Sequence, residues 1–177
     1  MNFIDVQFDM EFKRLEQYTA GGYDEAEFLI STNPGLPMRP LGAVASGGEL
    51  SRIMLAIKAV LADTDDIPTL IFDEIDTGIS GRTAQRVSEK MMLIGKTRQV
   101  ICITHLPQIA AMADRHFVIE KVARKDSTVT GIRRLQEEEN LQELGRLLGS
   151  DGMTDAVLGN AREMRQQALK HKSAAPD

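Results

Sequence analysis

Two adjacent carboxylates, Asp73 and Glu74, stand directly after the apolar run Thr69-Leu70-Ile71-Phe72. That run is too short for a helix and does not alternate, which is the pattern of a strand buried on both faces of a parallel sheet. Carboxylates at the mouth of such a strand are costly unless something compensates them. Ligands of open α/β sheets bind beyond the carboxyl ends of the strands. On that ground Asp73 is a candidate Mg²⁺ ligand, and Glu74 a candidate for orienting or deprotonating an attacking water. The competing reading is structural, with both residues capping the turn into the next helix.

His105 follows a second run of the same kind, Val100-Ile101-Cys102-Ile103, and so is expected to open onto the same sheet edge. A histidine there can hydrogen-bond a γ-phosphate or hold a water; alternatively Thr104 or His105 caps the following helix. A third element is Ser46-Gly47-Gly48-Glu49. Its spacing is that of a capping box, Ser46 accepting from the Glu49 amide and Glu49 reaching back to the Ser46 amide. Free N–H groups, a positive helix end and no β-carbons also suit a phosphate. What is missing weighs more than any of these. A phosphate-binding loop needs Gly-x-x-x-x-Gly-Lys-Ser/Thr after a strand. Gly95-Lys96-Thr97 has Lys90 where the first glycine belongs, and it leads into a strand, so it reads as a turn ending a helix.

The elements that must position these residues follow from periodicity. Val6, Phe8, Met10 and Phe12 alternate with polar residues, predicting a half-buried strand, a turn over residues 20–24, a second strand over 26–31, and a loop forced by Asn33-Pro34-Gly35-Leu36-Pro37. Leu50, Ile53, Met54, Ile57, Val60 and Leu61 recur at helical spacing and predict one buried face over residues 49–62. A strand over 69–72, a helix over 82–94 and a strand over 100–103 make a βαβ unit. Beyond it the pattern gives a short helix over 107–113 and strands over 117–121 and 128–135. Helices over 138–148 and 155–172 follow, Gly149 ending the first, with a polar tail after them. Lys121, Arg124, Lys125, Arg133 and Arg134 gather around the second hairpin, where solvated charge is a simpler reading than contact with a DNA backbone. Met54, Met91 and Met92 read as core and surface filler.

The bulk numbers bound the rest. A chain of 177 residues, 42% hydrophobic and 27% charged, has the length of one domain with one core. A formal charge of −5 provides no global attraction to nucleic acid or anionic membrane. One cysteine, Cys102, excludes a disulfide framework and a cysteine metal site, and fits a reducing cytoplasm. The apolar runs fall far short of the ~20 residues of a membrane span, and residues 1–5 lack the character of a signal peptide.

Read together, Ala45-Ser46-Gly47-Gly48-Glu49-Leu50-Ser51-Arg52, the string from Leu70 through Asp73-Glu74-Ile75-Asp76-Thr77-Gly78-Ile79-Ser80-Gly81, and Ile103-Thr104-His105-Leu106-Pro107-Gln108 resemble the RecN family. Their order and spacing are similar to the signature motif, Walker B and switch histidine of ABC-type heads. Phe28-Leu29-Ile30-Ser31-Thr32-Asn33-Pro34-Gly35 fits the same family. The resemblance covers nearly the whole chain and weakens over the last helix.

The resemblance implies an α/β fold, the C-terminal lobe of an ABC-type P-loop NTPase head, with a mostly parallel sheet flanked by helices and an N-terminal β-hairpin. It takes residues 1–177 as that lobe: hairpin and linker over 1–40, motif core over 41–135, C-terminal helices over 136–172 and a tail over 173–177. It also implies an SMC-like ATPase of double-strand-break repair, cytoplasmic and nucleoid-associated, without a membrane partner. A preceding lobe would carry Walker A, a long coiled coil would join the two lobes, and two heads would sandwich two ATP molecules. Ser46, Gly47 and Gly48, with Glu49, would serve the nucleotide of the opposite head. Asp73 as Mg²⁺ ligand, with Glu74 and His105 as catalytic groups, would serve their own. DNA would be gripped by the full-length protein.

Ser80 stands where the wider ABC pattern has aspartate, as in RecN-like usage. Without the first lobe the chain is expected to be inactive and to expose apolar surface, or to cover it with a second copy. A non-catalytic interaction module that kept the fold is the alternative. A transporter fragment would instead carry Leu-Ser-Gly-Gly-Gln.

Overall fold

The computed structural model describes residues 6–31, 35–44, 47–61, 66–124, 127–149 and 152–174. Strands β1 (Gln7–Thr19) and β2 (Gly22–Ser31) form an antiparallel hairpin running from Gln7 opposite Ser31 to Arg14 opposite Asp24. Its turn falls at Ala20-Gly21, inside the predicted 20–24 but shorter, and both strands run longer. Strand β3 (Arg39–Pro40), inside the predicted linker, adds to β2, and a short helix α1 (Leu41–Val44) follows it.

The prediction of a half-buried first strand fails. Phe8 is 48% and Phe12 67% exposed, and Val6 and Met10 are also exposed. Phe8 stacks on Phe28 with ring centroids 5.4 Å apart. This apolar side of the hairpin faces helix α2 (Gly47–Val60) across an open groove of about 640 Å³ instead of packing tightly on it.

Helix α2 is rotated relative to its predicted stripe. Ile53, Leu55, Gly48 and Arg52 are buried, whereas Leu50, Met54, Val60 and Leu61 are exposed. The reason is that two surfaces compete for the helix. Leu55 enters the main core, while Ile53, Ile57, Val60 and Leu61 line the groove.

Strands β4 (Thr69–Phe72) and β5 (Gln99–Cys102) pair in parallel, with Leu70 opposite Val100 and Phe72 opposite Cys102. Helix α3 (Gly81–Gly95) makes the crossover between them, completing the predicted βαβ unit. On the inner face Leu70 and Phe72 join Leu55, Ile75, Val87, Met91, Ile94 and Ile109 in one core. The outer face is open, with Ile71 68% exposed and Ile101 and Ile103 about as bare as the hairpin aromatics. The expectation of strands buried on both faces is therefore corrected, because no described element lies over that side.

The expected mostly parallel sheet is corrected as well. The described strands form three separate sheets, and the parallel one has two strands; the others are antiparallel. Strands β6 (Phe117–Arg124) and β7 (Ser127–Arg134) pair only with each other, since the short connection returns the chain on itself. Lys121, Arg133 and Arg134 on this hairpin are exposed, and Arg133 is paired with Glu139 at 2.6 Å and Glu120 at 3.5 Å. Arg124 has no described side chain, and Lys125 lies outside the described residues.

Helices α4 (Pro107–Ala110), α5 (Glu137–Leu147) and α6 (Asp155–Ala174) build a second core around fully buried Leu144 and Ala161. The α5 start is secured by Glu139, which accepts from the Gln136 amide at 2.8 Å. Arg165 fixes α6 to the end of α4 by donating to the carbonyls of Ala111 at 2.6 Å and Ala113 at 2.9 Å. Lys172 pairs with Asp114 on the same side. Among the described residues no helix is long and apolar enough to cross a membrane.

Candidate active site

Because β4 and β5 are parallel and in register, their carboxyl ends open on one edge. The Ile103 amide donates to Phe72 O at 3.0 Å, so Asp73-Glu74 and Thr104-His105 leave the sheet side by side. Asp73, Glu74 and His105 are all exposed there. The turn after β4 is tight. Its Glu74 amide donates to Asp73 Oδ1 at 2.9 Å, and the Thr77 amide donates to Glu74 O at 3.0 Å. Ser51 of α2 adds a hydroxyl bond to Asp73 O at 3.0 Å.

Glu74 sits at φ 57°, alone in the left-handed region among the described non-glycine residues. A residue with a β-carbon pays on the order of 1 kcal/mol or more there, and such strain clusters at functional turns.

The start of α2 abuts this turn. A β-carbon at Gly47 would stand 2.6 Å from Glu74 Oε2, and one at Gly48 would stand 2.9 Å from both Glu74 O and Thr77 Cβ. The glycines therefore permit the approach of helix to turn. Ser46 lies outside the described residues, and with it the predicted capping box; Glu49 is half-buried in the first turn. Gly48→Ala meets mostly backbone, which cannot swing away, and should cost about 2 kcal/mol. Gly159→Ala on open α6 serves as the control, expected to be neutral or to stabilise by about 0.5 kcal/mol. Urea midpoints for the two variants check the contrast; equal midpoints would mean that α2 does not press on the turn.

Two residues that the motif reading assigned no role hold the site together. Arg52 is buried at 6% exposure and donates from Nη1 to Thr77 O at 2.8 Å and Ile75 O at 3.2 Å. Burial lowers its guanidinium below the ordinary arginine value, opposed by the charge of Glu49. Asp76, at 4% exposure, turns its carboxylate under the end of β5. Its Oδ2 accepts from Thr104 Oγ1 at 2.7 Å and the His105 amide at 2.8 Å, and lies 2.9 Å from His105 Nδ1.

Burial, then the charges of Asp76 and Asp73, push the Cys102 thiol up to about 12. It stays protonated and offers no nucleophile.

No family model matches the chain. It is 47% identical over 157 residues to the DNA repair protein RecN of Bacillus subtilis (strain 168), covering 89% of the chain and 27% of that protein. Against RecN of Halalkalibacterium halodurans it is 42% identical over 169 residues, 96% of the chain and 30% of the relative. RecN of Vibrio cholerae serotype O1 is 43% identical over 160 residues, 90% of the chain and 29% of the relative. The chain is a RecN homologue.

It corresponds to the C-terminal portion of those proteins and spans under a third of their length. In fold, the RecN homologue is similar to the crystal structure of the Smc head domain with a coiled coil and joint from Pyrococcus yayanosii. The TM-score is 0.56 at 23% identity, covering 80% of the chain and 26% of that structure. The mixed α/β fold is thus that of an SMC head domain, assembled here from an antiparallel hairpin, a small parallel sheet and helices.

For this RecN homologue, acidic side chains at a strand end were visible in the sequence, but which of them turns inward was not. Asp76 lay in plain view within Asp73-Glu74-Ile75-Asp76, yet no local signal separates it from the exposed pair. Arg52 had none, because it sits on the buried side of a helix beside Ile53 and interrupts the apolar stripe.

Proposed function

We propose that the chain is the signature and Walker B lobe of a RecN-like ATPase head, acting in recombinational repair of DNA breaks and hydrolysing ATP only with its Walker A lobe. The observation that carries this reading is the common edge of β4 and β5, where Asp73-Glu74 and Thr104-His105 leave the sheet side by side and Glu74 lies against the glycine start of α2. The RecN relatives support the repair context, and the motif resemblance implies the class of reaction.

In this reading Glu74 accepts the proton of the attacking water, and His105 holds the γ-phosphate or that water. Asp73 fits a Mg²⁺ ion chemically. Its carboxylate is exposed, and among the described residues no group of three or more His, Cys, Asp or Glu could build an all-protein cage. One carboxylate plus phosphate oxygens is the usual Mg²⁺ arrangement, and the ion's chemistry there is neutralisation of phosphate charge. Ser46, Gly47 and Gly48, with Glu49, serve the nucleotide of a second head in a homodimer, the positive end of α2 favouring its phosphate.

The apolar outer face at Ile71, Ile101 and Ile103, together with the hairpin groove, is the surface that the Walker A lobe covers. Residues 1–177 then form one lobe, and DNA contact belongs to the full-length protein.

Titration with a fluorescent ATP analogue tests the assignment. The chain alone should bind at background level, and the chain joined to its preceding lobe should bind saturably. Equal binding by both samples would overturn it.

A further inference from the structure

We propose that Asp76 is a positioning residue for His105: its buried carboxylate takes the Nδ1 hydrogen of the imidazole and so leaves Nε2 as the outward-facing nitrogen. The inference rests on the reading above for what Nε2 meets, but not for the tautomer itself.

The geometry constrains the hydrogen. An ionised carboxylate accepts and cannot donate, so a ring nitrogen 2.9 Å from Asp76 Oδ2 must carry a hydrogen to bond it. The Thr104 hydroxyl cannot replace that donor. Its one hydrogen already goes to Asp76 at 2.7 Å, while its oxygen accepts from the Leu106 amide at 3.0 Å. The His105 amide fixes the same carboxylate oxygen at 2.8 Å, so backbone and ring of one residue are gripped together.

Asp76 cannot easily swing away, since Arg52 holds the carbonyls on both sides of it, at Ile75 and Thr77. The imidazole is nevertheless 71% exposed, which leaves Nε2 free at the sheet edge. A histidine whose second nitrogen is set by a buried carboxylate has one orientation and one tautomer available for work.

The first measurement uses the whole 177-residue chain, labelled with ¹⁵N in its imidazoles and free of nucleotide, with His105 assigned through His105→Gln. Above about pH 8 the ordinary imidazole is neutral, and the two nitrogen types separate. Nδ1 of His105 should carry the hydrogen and Nε2 should show the shift of an unprotonated nitrogen. Asp76→Ala, which removes the acceptor, should move the population toward the Nε2–H form that free histidine prefers. Thr104→Val, which loosens the same turn without touching the ring contact, should leave it in place. An Nε2–H tautomer in the wild-type chain overturns the proposal with no variant needed, as does a tautomer indifferent to Asp76→Ala.

The second measurement uses the chain joined to its Walker A lobe. Asp76→Asn should lower kcat for ATP about 100-fold at nearly unchanged KM, the cost of a misplaced catalytic group. A fall that merely tracks loss of folded protein assigns Asp76 a structural role and overturns the proposal. If the joined wild-type head turns over no ATP, the ATPase reading fails while the tautomer result still decides the role of Asp76.

Discussion

Glu74→Gln in the head joined to its Walker A lobe should reduce ATP turnover by about 10²–10⁴-fold, the range that general-base removal spans. ATP binding should survive, because Gln keeps the volume and the hydrogen-bonding oxygen while losing the basic one. The expectation comes from three observations on one turn. Glu74 is exposed at the carboxyl edge of β4, it is held in a left-handed backbone conformation, and its carboxylate stands against the glycine start of α2. Were its role to cap the next helix, the neutral amide would do nearly as well, and turnover would change by less than about tenfold. Single-turnover rates with saturating ATP separate the two, since they are blind to product release.

Arg52→Met should destabilise the chain by about 3 kcal/mol. Methionine fills a similar path, but it removes two bonds from a charged donor and leaves the buried carbonyl of Ile75 and the part-buried one of Thr77 without it. Part of that loss is offset, because the guanidinium no longer has to be desolvated. Urea unfolding followed by far-UV circular dichroism reads the shift. A change under about 0.5 kcal/mol would mean that the carbonyls find water, and that the turn after β4 does not depend on α2 for its shape.

The motif residues were legible because they stand at element ends, where composition changes abruptly. Phe72 gives way to Asp73-Glu74 and Ile103 to Thr104-His105, and parallel pairing then brings both ends to one edge whatever the remaining strands do. The helix boundaries of α3, α5 and α6 were legible for the same kind of reason, since periodicity and Gly149 mark them locally. Burial was much less so.

Periodicity states that a face is apolar, but not that anything in the same chain covers it. Val6, Phe8, Met10 and Phe12 alternate as a half-buried strand should, and Ile71 belongs to a run that reads as doubly buried. Ile71 is bare because no described element lies over that side, and Val6 and Phe8 are bare because α2 stands off across an open groove. Arg52 and the inward turn of Asp76 were illegible for a different reason. Their roles are set by where a turn points and how a helix is rotated, which only tertiary packing determines.

ATP turnover by the 177-residue chain, alone and joined to its preceding lobe, tests most directly whether this sheet edge is half of a shared catalytic centre. The chain alone should hydrolyse at the rate of buffer, and the joined head should turn over saturably and depend on Mg²⁺. Ordinary turnover by the isolated chain, or none by a joined head that binds nucleotide, would contradict the assignment.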